Sequence, residues 1–137
     1  MRDIKFRAWD KKENDWFDED GGDLFIELDG NINFGWNGEI MDDYTDRIIL
    51  MQYIGLKDVN NVEIFEGDIV KRIYLDGMFG RTHIGEVVYD KEYARYVIRK
   101  PQKYTEPKTK DIRNTLSDRI TYEVIGNIYQ NKHLLED

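Results

Sequence analysis

Ile48-Ile49-Leu50-Met51-Gln52-Tyr53-Ile54 decides the fold. Six of these seven residues are apolar, so both faces of an extended chain would be covered, and the run is too short for a core helix. It therefore reads as a strand buried on two sides. Downstream, Gly55-Leu56-Lys57-Asp58 leads to Asn60-Asn61, residues that tolerate left-handed geometry, and then to Glu63-Ile64-Phe65-Glu66-Gly67-Asp68-Ile69-Val70. That order predicts strand, turn, strand, tight turn, strand. Gly67 supplies a permissive turn, Asp68 can accept hydrogen bonds from nearby backbone, and Ile69-Val70 open a buried strand.

The alternation continues on both sides. Ile84 to Tyr89, the charged turn Asp90-Lys91-Glu92, and Tyr93 to Arg99 predict a hairpin. Ile120 to Ile125 is a last strand, interrupted by Gly126-Asn127 and resumed by Ile128-Tyr129, with His133-Leu134-Leu135 spaced for one helical turn. Residues 100–118 hold both prolines, Pro101 and Pro107, and show no strand pattern. Ile112 and Leu116 have the spacing of a short helical turn. Upstream, Ile4-Lys5-Phe6-Arg7-Ala8-Trp9 alternates with period two, and the polar stretch Asp10 to Asp15 before Trp16-Phe17 reads as a turn between strands. Asp18 to Asp23 is an acidic loop. Asp29-Gly30, between Leu24/Ile26/Leu28 and Ile32/Phe34, predicts a two-residue hairpin with both turn residues at positive φ. Five to eight short strands with almost no helix predict a mainly β protein, a small barrel or roll. The expected division is an acidic N-terminal β-hairpin region at 1–50 and a barrel at 51–137, packed as one compact unit.

Charge sharpens that division. The 137 residues carry a net charge of −8, and the whole acidic excess lies in the first fifty. The segment 95–113 is instead basic, with Arg95, Arg99, Lys100, Lys103, Lys108, Lys110 and Arg113 set against Glu106 and Asp111. There is no cysteine, which excludes disulfides and thiolate zinc ligation. No stretch has the length and apolarity of a signal peptide or membrane span, so a cytoplasmic address without membrane contact is expected.

Four separated pieces resemble one family: Ile4 to Asp10, Tyr53 to Asp58, Glu63 to Val70, and Tyr122-Glu123-Val124-Ile125-Gly126-Asn127-Ile128-Tyr129-Gln130-Asn131. Together and in this order they are similar to the YopX-like proteins of bacteriophages and prophages of Firmicutes. The chain departs from that pattern at Val59-Asn60-Asn61-Val62, where an Asn-Gly turn would be expected, and Phe17 to Thr45 matches little. The resemblance implies a β-rich protein whose C-terminal part is an SH3-like barrel. It carries no catalytic residues and no cofactor. Gly55, Gly67, Asp68, Gly126 and Asn127, within the matching pieces, read as residues that build the fold.

Catalytic inventories are thin. Ser117, the one serine, lies in a polar turn beside Asp118; His133 is near the end, and no nucleophile elbow surrounds the serine. Asp15, Asp18, Asp20 and Asp23 could gather around a hard cation, but EF-hand spacing puts Asp23 where a glycine is required, and a solvated acidic loop is the simpler reading. Asp42, Asp43 and Asp46 invite the same comparison more weakly. The basic stretch, with Tyr93, Tyr96 and Tyr104 interleaved, has the cations and aromatic faces that nucleic acid uses, against a chain charge of the wrong sign. It equally suits a solvated hairpin end, or a loop docking on the acidic half of a second copy in a homo-oligomer. The resulting expectation is a non-enzymatic phage or prophage accessory protein acting on a host or phage protein, with nucleic-acid binding through 95–113 as the alternative.

Overall fold

The computed structural model describes residues 2–74, 82–102, 108–112 and 120–136. Lys103, Tyr104, Arg113, Leu116 and Ser117, singled out above, lie outside the described residues. The fold is mainly β, built from antiparallel sheets. Two compact units divide the chain: an N-terminal unit, Phe6–Met51, and a C-terminal unit of Met1–Lys5 and Gln52–Asp137.

The N-terminal unit contains β1 (Phe6–Asp10) and β2 (Asp15–Trp16), then a 3-10 turn at Glu19–Gly21. A meander of β3 (Asp23–Ile26), β4 (Ile32–Trp36) and β5 (Glu39–Asp43) follows. Trp9 packs edge-on against Trp16, its partner across β1 and β2, with ring centroids 5.1 Å apart. The β3–β4 hairpin forms where Asp29-Gly30 predicts it, but not as a two-residue turn. Glu27 N–H donates to Asn31 O, Gly30 N–H donates to Glu27 O, and of the turn residues Gly30 (φ 92°) is the one at positive φ. This is a three-residue connection with a glycine bulge, which places Asp29 in ordinary geometry and lets its side chain accept from Asn31 N–H at 3.0 Å. The two-residue turn comes instead at Asn37-Gly38, both at positive φ (51° and 80°), between the paired Trp36 and Glu39. β5 is exposed throughout, so no apolar alternation marks it.

β6 (Ile48–Lys57), the strand of the opening stretch, carries the chain from one unit into the other. Ile48, Met51 and Tyr53 are buried while Ile49, Leu50 and Ile54 are half-buried, as expected of a strand covered on two faces. In the C-terminal unit β6 pairs β7 (Glu63–Phe65). A five-stranded meander follows in the order β11-β10-β9-β8-β12. Its strands are β8 (Asp68–Tyr74), β9 (Thr82–Asp90), β10 (Arg95–Lys100), β11 (Lys108–Asp111) and β12 (Ile120–Asn127). β11 corrects the sequence expectation of a strandless segment there. Its residues Lys-Thr-Lys-Asp have no apolar period, and the strand forms because β10 offers it a paired edge. The C-terminal turn, predicted at His133-Leu134-Leu135, is a 3-10 turn over Lys132–Leu135 that packs on β9.

Register separates the meander into two faces. Ile64 from β7 meets Val70, Val87, Ile98 and Tyr122 on one face to form the core. Full burial of side chains such as Ile64 and Ile98 is worth about 1.5–3 kcal/mol each. Carboxylates and amides tie the connections down. Asp58 is buried: its Oδ1 accepts from Asn60 and Val62 N–H, and its Oδ2 accepts from Val124 N–H across on β12. Asn61 takes the left-handed position of that turn (φ 65°). Asp68, 2% exposed, accepts from Phe65 N–H at 2.8 Å and so closes the turn through Gly67 (φ 82°). Asn127 Oδ1 accepts from Tyr129 and Gln130 N–H. Gly126 follows a register shift after Val124, and a Cβ on it would stand 2.6 Å from Asn131 Oδ1. Gly55 (φ 90°) lies within the β6–β7 register shift between Tyr53 and Lys57.

Candidate functional site

The N-terminal unit contains a cleft of about 740 Å³. β1 contributes Phe6, Arg7 and Ala8 to its lining, and Trp16 and Phe17 follow on β2 and just beyond it. Leu24 and Ile26 line the cleft from β3, all with Leu50. The Arg7 guanidinium carbon lies 4.9 Å from the centre of the Trp16 ring. The lining is aromatic and aliphatic, and Glu19 and Asp23 provide its carboxylates. Phe6 and Ile26 each keep 45% of their surface exposed. The unit around it has four Lys or Arg against thirteen Asp or Glu, a net charge of −9 that exceeds the −8 of the whole chain.

The second concavity, about 480 Å³, belongs to the C-terminal unit and involves two of the residues singled out by the sequence, Arg95 and Tyr96. Tyr89 stands opposite Tyr96 in register, with ring centroids 5.3 Å apart, and Glu66 and Gln52 close the other side. Burial, reinforced by the Glu66 charge and opposed by Arg2, raises the Tyr96 hydroxyl above its ordinary pKa. Tyr93 is exposed on the loop before β10 with the Arg95 guanidinium over its ring at 4.9 Å.

Among the described residues of the basic stretch, β10 divides its side chains between two faces. Across β9 and β10, Arg95 is paired with Asp90 and Arg99 with Glu86, while Lys100 is paired with Lys108 across β11. Arg95 and Arg99 thus project from one face and Tyr96, Ile98 and Lys100 from the other, because successive residues of a strand alternate. Ile98 stands opposite Lys110. Burial raises the Glu86 carboxyl above its ordinary pKa, with Arg99 and Lys132 pulling the other way.

The acidic loop does not converge. Asp15 accepts from Trp16 N–H and Asp18 from Asp20 N–H, and Asp43 accepts from Thr45 N–H. Among the described residues no three His, Asp or Glu side chains gather as a metal site. The strongest ion pair in the N-terminal unit is structural. Asp10, 4% exposed, receives both Arg47 Nε (2.9 Å) and Nη2 (2.7 Å), and its Oδ1 also accepts from Lys12 and Glu13 N–H. The Arg47 hydrogen bonds hold the Asp10 carboxyl below its ordinary pKa. Of the cleft residues the sequence singled out Asp23 alone, as one carboxylate of the acidic loop. The signal was present in the period-two placing of Phe6 and Ala8, but alternation marks a face without saying whether anything covers it.

Comparison with known proteins locates the chain. The model of the family described as YopX protein matches residues 5–136. Among solved structures, protein EF1440 from Enterococcus faecalis aligns at a TM-score of 0.58 and 27% identity, covering 99% of this chain and 100% of that one. Protein yopX from Bacillus subtilis aligns at a TM-score of 0.62 and 22% identity, covering 100% and 98%, which speaks to fold alone. No curated protein matches the chain. Among the described residues no helix is long and apolar enough to cross a membrane.

Proposed function

This chain belongs to the YopX protein family, and we propose that it is a non-enzymatic accessory protein, phage- or prophage-encoded, that binds a protein partner through the cleft of its N-terminal unit. The observation that carries this reading is the cleft's composition: aromatic and aliphatic walls from Phe6, Trp16, Phe17 and Leu24, one stacked arginine, and a carboxylate-bearing rim. Buried aromatic and arginine anchors are what protein interfaces concentrate at their centres. A volume of about 740 Å³ accommodates a few side chains of a peptide segment. The net charge of −9 on this unit selects a partner segment that is apolar with basic flanks. An SH3-like closure of the C-terminal meander fits the same reading, as a scaffold presenting grooves to partners, and so does a cytoplasmic location.

The test is cross-linked affinity capture from the producing cell with the natural chain beside Phe6→Glu and Ile26→Glu. Both residues are exposed enough to change without unfolding the unit, which circular dichroism would verify. A partner recovered by the natural chain, weakened by salt and lost from both variants, is the expected result. Identical captured sets from all three proteins would overturn the cleft as the contact.

A further inference from the structure

The three-stranded sheet of the N-terminal unit has two outer strands, and they are guarded differently. β5 carries Glu39, Asp42 and Asp43, and a register shift between Phe34 and Gly35 leaves Met41 as a bulge residue, so its edge is charged and irregular. Bulges and charges are how an open edge resists the addition of a strand. β3 has neither device over Leu24, Phe25 and Ile26. It pairs β4 through four consecutive positions without a shift, and its one charged residue is Asp23, at its start. Among the described residues β4 is its only neighbour in the sheet.

The hydrogen-bond phase of the hairpin shows which groups the β3 edge presents. Glu27 N–H donates to Asn31 O, so these two form a hydrogen-bonded pair, and alternation makes Ile26 and Ile32 a non-hydrogen-bonded one. Ile32 agrees, because both its groups turn to the other side: its N–H donates to Thr45 Oγ1 and its O accepts from Tyr44 N–H. The N–H and C=O of Leu24 and Ile26 therefore point away from β4. Both residues line the apolar cleft together with Phe6, Trp16, Phe17 and Leu50. A strand edge along an apolar cleft offers main-chain hydrogen bonds and apolar cover in one place, and an extended chain is the occupant that uses both. Glu19 and Asp23 stand in the same lining towards the N-terminal end of β3, and the unit carries a net charge of −9. Those charges favour a basic residue at that end and disfavour β3 of a second, equally acidic copy.

We infer that the partner of the cleft enters as an extended segment that adds a strand to β3, with main-chain hydrogen bonds to Leu24 and Ile26, alternate apolar side chains in the cleft, and a Lys or Arg beside Asp23. This rests on the cleft being the partner-binding surface and adds the mode of recognition.

The experiment starts from heptapeptides selected on the full chain from a random displayed library and kept if they fail to bind Phe6→Glu and Ile26→Glu. Each is resynthesised with its main-chain nitrogens methylated one at a time and titrated by fluorescence anisotropy. Strand addition gives a period of two: methylation at alternate positions weakens binding about 5-fold or more, and at the positions between them less than about 2-fold. Ile26→Pro removes an outward N–H but no β3–β4 hydrogen bond, so it should weaken the unmethylated peptide about 5-fold beyond Ile26→Ala, with circular dichroism checking the fold. If Ile26→Pro fails to fold, the methylation series still decides. Cleft-dependent peptides without a period of two overturn strand addition and leave the cleft standing as the partner surface. If no cleft-dependent peptide is recovered, strand addition falls, while a partner captured through Phe6 and Ile26 would still uphold the cleft. A concentration-dependent dimer in light scattering that Ile26→Pro abolishes overturns the inference in favour of a second copy.

Discussion

Two hairpins in this protein are written in nearly the same code. Asp10-Lys11-Lys12-Glu13-Asn14-Asp15 joins β1 to β2, and Asp90-Lys91-Glu92-Tyr93-Ala94-Arg95 joins β9 to β10. In each, the first aspartate pairs in register with the last residue and accepts from a backbone N–H two residues on. In each, the fifth residue has positive φ, Asn14 at 53° and Ala94 at 52°. Local geometry is shared, yet the aspartates do different things. Asp10 is buried against a two-pronged contact with Arg47, whereas Asp90 is more exposed and meets Arg95 at 3.7 Å. Identical turn chemistry thus acquires its energetic weight from what the rest of its unit brings to it.

The sharpest way to break the comparison is to remove both aspartates separately. Asp10→Ala strips Arg47, itself mostly buried, of its partner and frees two turn N–H groups, so a loss of about 3 kcal/mol is expected in urea unfolding. Asp90→Ala should lose only about 0.5–1 kcal/mol, because its ion pair is long and solvent-screened. Equal losses would show that the turn, not its tertiary partner, sets the cost.

Acid should separate the hairpins further, with opposite signs. Asp10 has a folded pKa below its unfolded one, so its contribution is full above the unfolded value and vanishes as pH falls through the folded value. Glu86, in β9, has a folded pKa above its unfolded one. Its contribution is therefore full below the unfolded value and is lost as pH rises through the folded value. Unfolding measured from pH 7 down to pH 3 should show Asp10→Asn removing part of the acid destabilisation. Glu86→Gln should be stabilising at pH 7 and lose that advantage in acid. The smallest effect concerns the left-handed residue: Ala94→Gly relieves strain that Asn14 tolerates, and a gain of about 0.5 kcal/mol is expected where Asn14→Gly gains nothing measurable.

How much of this was legible in the chain differs from element to element. The apolar run at Ile48, the Glu66-Gly67-Asp68 turn, the Asn61 turn and the Ile84 to Arg99 hairpin are written locally, in side-chain period and in residues suited to positive φ. β5 and β11 are not, because edge strands with polar or exposed residues owe their extension to the neighbour that pairs with them. The Asp29-Gly30 hairpin was legible as a hairpin but not as a turn type, since a glycine at positive φ serves both a two-residue turn and a bulged three-residue one.

The candidate sites divide along the same line. The sequence showed a basic, tyrosine-rich segment, but composition has no faces, and the alternation of β10 places Arg95 and Arg99 with carboxylates on one side and Tyr96 and Lys100 on the other. The burial of Arg72 gave no sign in a strand of ordinary pattern, because it depends on β9 and β12 pairing on either side of β8. By itself the chain determined its β class, most of its turns, its family and its separation of acidic from neutral halves, all properties of short-range pattern and charge count. Tertiary structure alone decided which apolar side chains stayed uncovered and which aspartate gained an arginine. Those outcomes are set by contacts between residues far apart in sequence, which no local period records.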